Sequence, residues 1–136
     1  RSRVLISQLS DPERLSVIQT YCQPTEMESH IEVQMVAVDP LSGRMDISDL
    51  ASKMGEDVAA VYFENPAYLG TIETEAAKIA TIARSAGAET IVGVDPLSLG
   101  VMTALVIWRG YSDWSGATSW RSHAMWWWSG RFHRIP

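Results

Sequence analysis

Residues 58–63, Val-Ala-Ala-Val-Tyr-Phe, constrain the fold more than any other stretch, because six apolar side chains follow one another without polar alternation. A run of this kind, rich in β-branched and aromatic residues, predicts a strand buried on both faces, as in a parallel sheet. It breaks at Glu64-Asn65-Pro66. Proline has no N–H to give to a ladder, so the strand stops there. A helix is predicted from about Thr71. In open parallel sheets ligands sit just beyond the carboxyl ends of the strands. Position alone therefore makes Asn65 a candidate site residue.

The flanking sequence alternates strand and helix. Residues 4–7 form a short apolar strand. Ser10 and Glu13 have capping-box spacing, and Pro12 suits a first helical turn, so a helix is predicted from there. Leu15, Ile18 and Cys22 give it one apolar face, and Pro24 ends it. Residues 31–38 alternate, with Ile31, Val33, Met35 and Ala37 on one side, which predicts a strand nearer an edge. Asp39-Pro40-Leu41-Ser42-Gly43 is a turn, and residues 46–54 form a short helix ending near Gly55. The helix predicted over about 71–86 carries Ile72, Ala76, Ile79, Ala80 and Ala83 at helical spacing. Glu73 and Glu75 suit its positive end, Arg84 its negative end, and Gly87 its C′ position. A strand over 90–94 follows, ended by Asp95-Pro96. The order predicts an α/β fold: a mostly parallel sheet with right-handed crossover helices.

At 136 residues the chain allows one domain with a real core. No apolar run approaches the roughly 18–20 residues that span a bilayer, and nothing resembles a signal peptide. A single cysteine, Cys22, excludes an internal disulfide and fits a reducing, cytoplasmic setting. The chain starts at Arg1, already inside an apolar strand, and reads as a piece of a longer protein. Charge is uneven. Residues 1–103 hold 7 Lys+Arg and 15 Asp+Glu, a net of −8, whereas residues 104–136 hold 4 and 1, a net of +3. All six tryptophans lie in the second part, so a boundary is placed near 103.

The string FENPAYLG, then a helix, then AGAETIVGVDPLSLGVM resembles subunit 1 of the split bacterial glycine dehydrogenase (decarboxylating), the P-protein of the glycine cleavage system. VLISQLSDPERLSVIQTYCQ near the start is similar to the same family. The likeness covers about residues 1–103. It implies part of the large domain of a fold-type I transferase dependent on pyridoxal phosphate (PLP). In that fold a strand-end Asn-Pro lies near the cofactor ring, and an Asp ending the next strand pairs with the pyridine nitrogen. Asn65 and Asp95 fall at the matching positions. A carboxylate there keeps the ring protonated and able to accept carbanion charge. The following strand would end at the Schiff-base lysine, but the chain's two lysines, Lys53 and Lys78, both precede Asp95. The resemblance implies that subunit 2 carries that lysine. It also implies a second partner, the lipoyl-carrying H-protein, and decarboxylation of glycine by the assembled enzyme, this fragment alone being inactive.

The tail has its own logic. Met and Trp have one codon each, so Met125-Trp126-Trp127-Trp128-Ser129 is encoded by ATG TGG TGG TGG and a serine codon. One base later the same DNA reads Cys-Gly-Gly-Gly, whichever serine codon is used. Trp108-Arg109 forces a glycine in the same way. The shifted text, of the form GADIVIG…CGGGLAGFIAS, resembles the same family's continuation after SLGVM. A reading-frame shift between about Met102 and Trp108 is therefore expected, which would leave residues 104–136 irregular and the last strand short of a neighbour.

Ordinary readings stand beside these. Asn65-Pro66 and Asp95-Pro96 are also common turn chemistry. His30 reads as solvated, and Cys22 as a small buried hydrophobe. His123 and His133 lie in the shifted tail and carry no signal. There is no metal-ligand cluster and no glycine-rich phosphate loop. The rival function is a non-catalytic α/β binding domain whose aromatic, basic tail stacks on nucleic acid or lies on a membrane. The forced Cys-Gly-Gly-Gly outweighs it, so neither partner is expected.

Overall fold

A computed structural model describes residues 1–26, 28, 30–95 and 97–98. In chain order the elements are β1 (Arg3–Ser7), α1 (Pro12–Cys22), β2 (Glu32–Val36), β3 (Val38–Asp39), β4 (Arg44–Met45), α2 (Ile47–Lys53), β5 (Val58–Glu64), α3 (Ala76–Ser85) and β6 (Glu89–Gly93). Four strands form one sheet in the order β2-β1-β5-β6, and every pairing in it is parallel. β3 and β4 form a separate antiparallel hairpin. The two apolar runs, β1 and β5, are central, as continuous burial requires. The expected α/β class, the parallel pairing of β5 with β6 and the edge position of β2 all hold.

One face of the sheet forms the main core. Leu5, Val36, Val61 and Phe63 meet Leu50 of α2 and Ile79 and Ala83 of α3. The other face carries Ile6, Ala60, Tyr62 and Glu64. There α1 reaches the sheet through Arg14 rather than by deep packing. Leu15, Ile18 and Cys22 are half-buried on α1, and none of its residues is fully buried. Burial pushes the Cys22 thiol above its ordinary pKa.

Three local expectations are corrected, and a fourth, the turn at 39–43, holds but gains a flanking hairpin. The N-cap of α1 is Asp11, not Ser10: Asp11 has φ −54° and ψ 126°, and its side chain accepts from the Glu13 N–H at 2.8 Å. The cause is Pro12, which forces the residue before it into an extended conformation, and this suits a cap. On β2 the buried residue is Val36, on the side opposite Val33 and Met35, while Ile31 is exposed. An edge strand is covered well on one face only, and Val36 faces the core of α2 and α3. The turn at 39–43 is present, with Gly43 at φ 64°, but it is flanked by β3 and β4, which are too short to leave a periodic signal. Finally, α3 starts at Ala76 rather than about Thr71, because side-chain bonds hold the preceding residues in a loop. Its other end is as expected, with Gly87 at φ 70°. α2 matches its expected span, capped by Asp46, which accepts from Ser48 N–H and Asp49 N–H. Residues 104–136, and the boundary drawn before them, lie outside the described residues.

Candidate functional site

β5 and β6 end side by side. Glu64 pairs with Gly93, and the Asn65 N–H donates to the Gly93 carbonyl at 2.8 Å. Asn65 and Asp95 therefore stand at the same, carboxyl, edge of the sheet.

The two residues use that position differently. Asn65 is buried, at 5 % exposure. Its Nδ2 donates to the Glu73 carbonyl at 3.2 Å, and its Oδ1 accepts from the Glu73 N–H at 3.1 Å. The Asn65–Pro66 peptide is cis. Asp95 is exposed, and its Oδ1 accepts from the Leu97 N–H at 3.0 Å, while its carbonyl accepts from the Ser98 N–H and hydroxyl. Turn chemistry is thus present at both positions. It commits the Asn65 amide inward and leaves Asp95 at the surface of the edge.

A second polar cluster lies on the α1 face and was not legible in the sequence. The Glu64 side chain, 4 % exposed, accepts from the Asp11 N–H at 3.1 Å, Tyr62 hydroxyl at 3.0 Å and Arg14 Nη1 at 3.3 Å. Glu64 ends an apolar run, so its burial shows only once α1 is folded against it. Burial and the neighbouring carboxylate push the Tyr62 hydroxyl up to about 12. The Tyr62 hydroxyl, and then Glu64, raise the Arg14 guanidinium above its ordinary value. A Cβ on Gly93 would stand 2.7 Å from the Tyr62 oxygen, so glycine makes room for this cluster.

Neither lysine approaches the edge as a free amine. Lys53 Nζ donates to Asp49 Oδ2 at 2.6 Å and the Met35 carbonyl at 2.9 Å, which pins α2 to the edge strand. Lys78 Nζ pairs with Glu75 Oε1 at 3.2 Å on α3. Among the described residues no three His, Cys, Asp or Glu side chains are placed to hold a metal ion.

A parallel sheet with crossover helices and a polar carboxyl edge is shared by many α/β folds, and comparison with solved structures places this one among the fold-type I PLP-dependent enzymes. A tyrosine aminotransferase of Leishmania infantum superposes with a TM-score of 0.54 at 19 % identity, over 67 % of this chain and 24 % of that one. A crystal structure of glycine decarboxylase, the P-protein of the glycine cleavage system, superposes with a TM-score of 0.63 at 32 % identity, over 75 % of this chain and 21 % of the other. Curated relatives point to the same protein. The chain is 38 % identical over 104 residues to the "Probable glycine dehydrogenase (decarboxylating) subunit 1" of Pyrococcus abyssi, and 30 % identical over 102 residues to that of Staphylothermus marinus. These matches take in 76 % and 75 % of this chain but only 22 % and 21 % of the relatives. No protein-family model matches. Over three quarters of its length the chain is thus similar to one segment, about a fifth, of glycine dehydrogenase (decarboxylating) subunit 1.

Proposed function

We propose that the chain is a segment of the P-protein of glycine cleavage, the subunit that lacks the cofactor lysine. With subunit 2 it would decarboxylate glycine and pass the aminomethyl group to the lipoyl group of the H-protein. The observation that carries this reading is the joint likeness, in sequence and in fold, to subunit 1 and to the P-protein. PLP, when bound, supplies an electron sink for the carbanion left as carbon dioxide departs. This chain's own residues fit a supporting part. Asp95 is an exposed carboxylate at the carboxyl edge, suited to keeping the pyridine nitrogen protonated. Asn65 belongs to the wall of that edge, with its amide already bonded to Glu73. Lys53 and Lys78 are committed elsewhere, in keeping with a lysine supplied by subunit 2.

Because the chain spans about a fifth of its relatives, the test grafts residues 1–103 into a full-length subunit 1 in place of the matching segment, coexpresses it with subunit 2, and assays glycine-dependent carbon dioxide release in the presence of H-protein. Release by the grafted pair, and not by this chain alone, supports the reading. A grafted pair that assembles but never turns over glycine counts against it. The setting we propose is cytoplasmic, and no helix among the described residues is long and apolar enough to cross a membrane.

The proposal includes the frame shift. The similarity to the P. abyssi protein runs for 104 of 136 residues, the length of the segment before the composition break. Sequencing the encoding DNA across codons 100–110 tests it directly: an inserted or lost base is expected, and a clean frame shared with close relatives would refute it.

A further inference from the structure

We propose that Glu73 is a positioning residue for the carboxyl edge, acting through Asn65; the inference rests on reading that edge as the cofactor side. Glu73 is 6 % exposed, and among the described residues no ion pair includes it. A buried carboxylate is costly unless its charge is met by donors. Here two backbone N–H groups meet it, one on each oxygen: Met45 to Oε2 at 2.9 Å and Glu75 to Oε1 at 3.0 Å. Met45 lies on β4, and Glu75 caps α3, where the helix dipole favours negative charge. Asn65 meanwhile holds both the N–H and the carbonyl of Glu73. One residue therefore joins the end of β5, the hairpin and the start of α3.

The loop between Asn65 and Glu73 turns on its own bonds, Ala67 N–H to the Thr71 carbonyl at 2.8 Å and Gly70 N–H to the Ala67 carbonyl at 2.7 Å. Tyr68 N–H ties it to the Leu9 carbonyl at 3.1 Å, beyond the end of β1. Its return to the core is fixed by Glu73. The carboxylate has the shape this needs. Glutamine replaces one accepting oxygen with a donor, and aspartate is one methylene shorter. With its side chain turned onto Glu73, Asn65 leaves the edge to its backbone and to Asp95.

Amide hydrogen exchange by NMR on the full chain, with Glu73→Ala and Glu73→Gln, tests the role. In Glu73→Ala the Met45 and Glu75 amides should exchange about tenfold faster or more. The Asn65 side-chain amide resonances should shift, and Val61 and Phe63 should keep their protection. Glu73→Gln should restore protection at one of the two amides and not the other. Unchanged exchange at Met45 and Glu75, or a rise shared equally by Val61 and Phe63, would overturn the proposal. So would failure of Glu73→Gln to fold, since a residue that positions the edge is not required for the core. Exchange is read on the chain alone. Failure of the cofactor reading would show separately, as a PLP absorbance in the assembly with subunit 2 that Asp95→Asn leaves unchanged.

Discussion

The N–H of Asn65 donates to the carbonyl of Gly93 at 2.8 Å, so the strand that ends in Asn-Pro and the strand that leads to Asp-Pro finish in register. This bond sets the carboxyl edge.

Asn65→Ala removes a donor and an acceptor from the Glu73 backbone at a buried position. Leaving buried backbone groups without partners costs about 1–3 kcal/mol. Urea unfolding of the variant should show a midpoint lowered to match, with an unchanged slope. A variant as stable as the parent would mean that the Asn65–Glu73 bonds contribute nothing.

Gly93→Ala should also destabilise, for a steric reason. The new methyl would stand 2.7 Å from the Tyr62 oxygen and 3.1 Å from both Arg14 Nη1 and Glu64 Cγ. Overpacking of this kind costs about 1–3 kcal/mol. Combining Gly93→Ala with Tyr62→Phe, which removes the nearest atom, should recover part of the loss in thermal melts.

These two sites show what could be read from sequence and what could not. β5 was legible because a strand buried on both faces leaves an uninterrupted apolar run, and the edge followed from the proline after it. The positions of Asn65 and Asp95 at that edge followed from parallel order. The use of the Asn65 side chain was hidden, since its partner Glu73 lies in a stretch whose spacing resembles the first turn of α3. Helical periodicity from Ala76 onward pulled that reading too far forward. The Glu64 cluster was hidden for another reason: a glutamate at the end of a strand looks like a solvent-facing stop until Arg14 and the Asp11 N–H are brought against it.

Tyr62 should give the fold an alkaline limit. Its hydroxyl is pushed up to about 12 in the folded chain, against about 10 when unfolded. A raised pKa contributes stability that is fully present below the unfolded value and is lost as pH rises through the folded one. Stability should therefore fall between about pH 10 and 12, and Tyr62→Phe should flatten that fall. Chemical unfolding followed across this range for both proteins checks it. An identical alkaline limb in the variant would place the cause elsewhere.

Asp49 should act at the acid end. Lys53, and then the Ala37 N–H, hold its carboxyl below the ordinary range. A lowered pKa contributes stability that is present above the unfolded value and is lost as pH falls through the folded one. Asp49→Asn should be less stable than the parent at neutral pH, and the two should converge as the pH falls below the ordinary aspartate range and through the lowered folded value. Thermal melts at neutral and acid pH test this. A difference that persists in acid would show that packing, not charge, holds the corner of α2.

We propose that this segment contributes the carboxyl edge of a PLP-enzyme fold and that another subunit holds the cofactor covalently. Borohydride reduction of a full-length subunit 1 carrying residues 1–103, assembled with subunit 2 and PLP, followed by mass spectrometry of the peptides, decides it. The phosphopyridoxyl label is expected on subunit 2, with Lys53 and Lys78 of this chain unmodified. Label on either of those lysines, in the assembly or in the chain alone, would overturn it.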